Sequence, residues 1–175
     1  IYNTSSGQTL IQNAQFNNNT ANGQGGAIYT SGDLTIINSN FSNNNMQNNV
    51  ANDIYIADGK TTFEVNEGVS STISSGIAGA NNAVFEKTDL GVLNLTGNNK
   101  SFSGQFNLAD NGGTVLYSAN NENDSFVSGS VSVGQNAELL MNVSSAAKAQ
   151  TINNLSVEGI VAKQADGNMK FSGKK

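Results

Sequence analysis

The chain has 175 residues, enough for one domain with a sizeable core, and it carries 30 asparagines and 19 glycines with no cysteine, proline, tryptophan, histidine or arginine. Lacking cysteine, it has no disulfides and no thiolate metal sites. A net charge of −5, a pI near 4.5 and the lack of any basic run exclude nucleic acid and anionic membrane as expected partners. A hydrophobic share of 37% is low for a compact globule but suits a thin, elongated core. No apolar run approaches the roughly 18 residues of a membrane-spanning helix.

The chain opens mid-pattern on Ile1-Tyr2-Asn3, without an initiator Met, and reads as a piece of a longer protein. Over residues 1–66 a cycle repeats. Ile1-Tyr2, Ile28-Tyr29 and Ile54-Tyr55 recur at intervals of 27 and 26 positions. A glycine follows each pair (Gly7, Gly32, Gly59), then an apolar strand: Leu10-Ile11, Leu34 to Ile37, Thr62 to Val65. An aromatic-x-x-Asn step comes next, at Phe16/Asn19 and Phe41/Asn44; Phe63/Asn66 has the same form but coincides with the strand. Short strands at a period in the twenties predict a solenoid in which each coil buries its apolar face only against its neighbours. Asparagine suits such coils because it tolerates left-handed backbone and can stack on the next coil as an amide ladder. A polar disordered linker is the competing reading, and the apolar residues recurring in phase with the Asn tracts oppose it.

From Gly68 to Asn82 the pattern weakens into Ser, Gly and Ala, anchored by Val69, Ile73 and Ile77, and predicts a coil with small inward residues rather than a helix. From Ala83 the alternation sharpens through Leu90, Val92-Leu93 and Leu95 to Gly97-Asn98-Asn99, then through Phe102, Gly104, Phe106 and Leu108 to Val115-Leu116-Tyr117. It resumes over 126–143 and again at Ile152, Leu155, Val157, Ile160 and Val161. The Ala-rich Ser144 to Gln150 is too short for an independent helix, and Lys174-Lys175 reads as a solvated end.

Two sets of motifs carry a family resemblance. Gly25-Gly26-Ala27-Ile28, phased with Phe16 to Asn19, Phe41 to Asn44 and Phe63 to Asn66, resembles the paired tetrapeptides of the polymorphic outer membrane proteins, within the autotransporter passengers. Lys87 through Asn99, with Gly91 and Gly97, leading into Phe102-Ser103-Gly104, resembles the autotransporter-associated strand repeat. Together they cover 1–66 and 87–117; Gly-Gly-Ala-Ile occurs once, with Gly112-Gly113-Thr114-Val115 an imperfect second copy. The resemblance implies an all-β, right-handed parallel β-helix of roughly seven coils running through 1–175 as one segment of a bacterial surface passenger. It also implies an outer-membrane barrel elsewhere in the parent chain. On that fold Gly25 and Gly26 fill a tight corner, Ile28 and Tyr29 face opposite sides, and Phe16/Phe41 and Asn19/Asn44 stack one coil apart, at roughly 4.8 Å.

Catalysis finds little material. With no histidine a Ser-His-Asp triad cannot be assembled. The nearest carboxylate pairs, Asp53/Asp58 and Glu122/Asp124, sit as turn decorations do rather than flanking a cleft. Residues 53–64 have the length of an EF-hand loop, but Tyr55 and Ala57 stand where ligands belong and Asp58 where the turn glycine belongs. Gly23-Gln24-Gly25-Gly26 lacks the Lys and Ser/Thr of a phosphate loop. No enzyme activity, metal or cofactor is expected. The expected function is a surface-exposed adhesin or adhesive stalk whose partner is a host-cell or bacterial surface receptor, protein or glycan, or another copy of itself. The alternatives are a glycan-binding or glycan-active β-helix, with Tyr29, Tyr55 and Tyr117 stacking on sugars, and an inert spacer.

Overall fold

The computed structural model describes residues 1–164, 167 and 169–172; Gly173-Lys174-Lys175 lie outside them. The described residues contain no α-helix, and their parallel strands stack as a β-solenoid of about seven turns. Sheet A stacks four short strands: Tyr2–Asn3, Ile28–Thr30, Ile54–Ile56 and Ile77–Gly79. Sheet B stacks eight, from Gln8–Gln12 through Asp33–Ile37, Lys60–Glu64, Val84–Thr88, Gln105–Leu108, Ser130–Val133 and Gln150–Val157 to Met169–Ser172. Sheet C stacks seven: Gln15–Asn17, Asn40–Ser42, Ser70–Ile73, Val92–Thr96, Thr114–Ala119, Glu138–Val143 and Ile160–Lys163.

Alternation decides what goes inside, since neighbours on a strand face opposite ways. In sheet B the register aligns Ile11, Ile36, Phe63, Lys87, Leu108 and Val133 as one inward row. Leu34, Thr61, Phe85, Phe106 and Val131 form the other. Sheet C answers with Phe41, Ile73, Leu95, Tyr117 and Met141, and with Ser71, Leu93, Val115, Leu139 and Val161. All of these but Val161 are buried, so one continuous apolar column runs up the molecule. The small-residue stretch before Asn82 does form a coil: Ser71, Ser75, Gly76, Ala78 and Gly79 are buried with Ile73 and Ile77.

Asparagine makes the corners. Between sheets B and C, Asn13, Asn38, Asp89, Asn111 and Asn136 all adopt left-handed backbone, with φ from 47° to 64°, and Gly68 does so in the third coil. Asn and Asp reach that region at lower cost than other side chains because their short polar groups bond locally. Between sheets C and A the first two coils carry longer loops, the second folding out as an antiparallel hairpin of Asn45–Met46 against Val50–Ala51. Sheet A ends at Ile77–Gly79, where Gly79 bridges to Phe102. Beyond that point buried Phe102, Phe126 and Val127 occupy the core without a third sheet.

Candidate interaction surface

The motif residues build one corner. Phe16 and Phe41 stack with ring centres 4.7 Å apart and planes 5° from parallel. Asn19 donates from Nδ2 to Asn44 Oδ1 at 2.7 Å, and its backbone N–H reaches the same oxygen at 2.9 Å. Gly25 sits at φ +73°, and a Cβ on Gly26 would fall 2.5 Å from the backbone N of Asn45. Ala27 and Ile28 are buried while Tyr29 faces outward, half-exposed. In the second motif Gly91 lies against Asn66 O, Gly97 takes φ +75°, Phe102 is buried, and Gly104 passes so close to Ala83 O that a Cβ would clash.

Phe63 and Asn66 do not extend the Phe16/Phe41 ladder. Phe63 pairs with Ile36 in sheet B, whereas the position above Phe41 in sheet C is Ile73. Phe63 meets Phe41 across the core, tilted by 57° at 6.3 Å. Asn66 bonds instead to Asn38, Glu64 and Asp89 at the B–C corner. The spacing arises there because an inward strand-end residue followed by a polar corner also reads aromatic-x-x-Asn.

Three titratable groups missed by the sequence reading lie inside. Asp53 is not a turn decoration: its carboxylate accepts from Asn44 Nδ2 at 2.6 Å and from the Ser75 backbone N–H at 2.7 Å. Burial pushes its carboxyl up, and those hydrogen bonds oppose the push. Asn44 also donates to Phe16 O, and buried Asn52, Asn99 and Gln150 each accept a backbone N–H from another coil. A buried polar spine therefore replaces ladder hydrogen bonds where the chain turns. Asp58, by contrast, sits on an exposed turn, bonded to Gly59 N–H and Asn82.

Lys87 occupies an inward position between Phe63 and Leu108, and its ammonium donates to the carbonyls of Thr88, Asp89 and Gly112 at 2.7–2.8 Å. Burial pulls its pKa down to about 8 against the raising pull of Asp89 and Glu64. The hydrogen bond from Asn66, and then that from Leu90 N–H, hold the Asp89 carboxyl below the usual range. Parity was the available signal: with Phe85 inward, the residue two on is inward too. The same parity turns Tyr117 inward, where its hydroxyl donates to Gly97 O at 3.0 Å. Burial first, then Asp124, pushes that phenol up.

The outside is ladders. On sheet B, Thr35, Thr62, Glu86, Asn107 and Ser132 align outward, with Lys60 paired to Glu86 and Ser132 donating to Asn107 at 2.8 Å. On sheet C, Ser42 donates to Asn17 and Asn94 to Ser70, both at 2.7 Å. On sheet A, Tyr2, Tyr29 and Tyr55 stack at 5.0 and 5.6 Å. An open groove beside Tyr2 and Tyr29 is walled by Asn19, Ala21, Gln24 and Gly25. Of the three tyrosines considered for sugar stacking, Tyr29 is covered on both faces by its neighbours and Tyr117 is buried, while Tyr55 is stacked on one face by Tyr29. Comparison with protein-family models, curated proteins and solved structures finds no match.

Proposed function

We propose that this chain is a rigid rod segment of a surface-displayed autotransporter passenger, and that its outer sheet faces mediate attachment, self-association included. The observation that carries this reading is the outer face of sheet B. Thr35, Thr62, Glu86, Asn107 and Ser132 form a repeating polar strip at one-coil spacing, held by side chain to side chain bonds between coils. Such a strip presents one polar side chain at every coil along one axis, which favours summed weak contacts over a single deep pocket. Motif resemblance supplies the surface location and the passenger class.

The test is display of the segment on bacterial cells, scored for cell–cell clumping and for binding to host-cell monolayers. Cells displaying the native segment should clump or adhere. A Thr35→Lys, Thr62→Lys, Asn107→Lys variant, which places like charges along the strip, should lose that behaviour while keeping its β-rich circular dichroism. Native segments that neither clump nor adhere would leave the chain as a spacer.

A further inference from the structure

We infer that Tyr2, Tyr29 and Tyr55 form an oxidative cross-linking site, in which a one-electron oxidant couples adjacent rings into dityrosine and staples neighbouring coils together. The register pairs Tyr2 with Tyr29 and Tyr29 with Tyr55 in parallel strands, so each ring lies over the equivalent ring of the next coil. Their centres are 5.0 and 5.6 Å apart and their planes 4° and 15° from parallel. In-register stacking places the ring carbons of one phenol beside those of the next, and dityrosine joins carbons ortho to the two hydroxyls. Tyr29 and Tyr55 are only half-buried, so oxidant reaches the ladder.

The composition sharpens the point. The chain holds no cysteine, tryptophan or histidine to compete for the oxidant; among its methionines Met141 is buried and Met46 is half-buried on the hairpin. The fourth tyrosine is an internal control: Tyr117 is buried, donates its hydroxyl to Gly97 O, and has Phe126 as its aromatic neighbour. Hydrogen peroxide with a haem peroxidase supplies the oxidising equivalents. Each of two phenols gives up one electron and its hydroxyl proton to become a phenoxyl radical. The radicals join through a new carbon–carbon bond, and both rings recover their phenols by moving the ortho hydrogens to oxygen. Two electrons and two protons reduce one peroxide to two waters.

The experiment treats the full chain, at a dilution that suppresses contact between molecules, with peroxidase and peroxide. Dityrosine fluorescence is read first, and tandem mass spectrometry follows cleavage before Asp53, which separates Tyr55 from Tyr2 and Tyr29. Native chain should stay monomeric, lose two hydrogens and show Tyr2–Tyr29 or Tyr29–Tyr55 links. Tyr29→Phe keeps a stacked ring but removes the phenol shared by both pairs, so intrachain links should fall to the untreated level. Tyr2→Phe should leave only Tyr29–Tyr55, and Tyr117→Phe should match the native chain. Native chain without dityrosine, links found only between molecules, links to Tyr117, or undiminished intrachain links in Tyr29→Phe would each overturn the assignment.

Discussion

The first three coils and the later ones fill the same column by different means. In the first three, sheet A closes a third wall, the row Ile28, Ile54 and Ile77 points inward from it, and buried Asn3, Asn44, Asn52 and Asp53 satisfy the backbone at the turns. In the later coils that wall is gone. Phe102, Phe126 and Val127 plug the opening, Phe106 touches Phe85, Phe102 and Phe126, and sheet C turns apolar residues inward in pairs, such as Leu93 with Leu95 and Leu139 with Met141. The step from coil to coil shortens before that wall is lost, from 27 positions between Tyr2 and Tyr29 to 23 between Ile54 and Ile77, and it is 22 between Leu93 and Val115 and 25 between Phe106 and Val131. A solenoid can close its cross-section with a third sheet or with apolar plugs, and this chain changes from one to the other along its length, while buried amides satisfy the turns in both parts.

Deletions give the largest expected effect and test whether both halves obey the same stacking rule. Removing residues 28–53, one whole coil, brings Ile54-Tyr55 under Ile1-Tyr2 and should leave cooperative urea unfolding intact. Removing residues 28–39 shifts every later inward residue out of phase and should abolish it. The aromatic centres come next. Phe41→Ala and Phe106→Ala each empty a fully buried ring site and should each cost about 3–5 kcal/mol by urea denaturation. Phe16→Ala, from a half-buried ring, should cost visibly less.

Of the polar spine, Asn44, Asn52 and Asp53 lie in the first coils, while Asn99 and Gln150 lie in the later ones. Asn44→Ala removes the partner of the Asn19 N–H, Phe16 O and Asp53 and should cost roughly 2–3 kcal/mol. Lys87 belongs to the later coils and supplies a pH signature. Its folded pKa of about 8 lies below the ordinary 10.5, so between those values the unfolded chain holds the extra proton. Stability should therefore rise as pH climbs from about 8 toward 10, and Lys87→Met should flatten that rise in urea midpoints. Tyr117 acts in the opposite sense at higher pH, because its raised phenol keeps a proton that the unfolded chain releases. The smallest effect lies at the junction, in the third coil, where the buried hydroxyls of Thr61 and Ser71 lack partners. Thr61→Val should gain up to about 1 kcal/mol.

Legibility followed periodicity. The Ile-Tyr recurrence placed three coils correctly because strand, turn and strand repeat at nearly constant length. Phe63/Asn66 misled because three-residue spacing carries no information on which sheet a phenylalanine serves. Aligning Asn52-Asp53-Ile54 with Gly26-Ala27-Ile28 would have placed Asp53 in a buried slot, since Ile28 and Ile54 are register partners. Lys87 was hidden for a different reason: charge argues for the outside, and three carbonyls converging from two corners outweigh it only once the coils are stacked.

The left-handed corners between sheets B and C have an evolutionary consequence. Four coils place Asn there and one places Asp89, with the backbone in the same region each time. Asn and Asp codons differ at a single base, so one nucleotide change can add or remove a negative charge at a corner without redrawing the chain path. Along that edge the charge can change one unit at a time while the left-handed backbone that Asn and Asp share is kept.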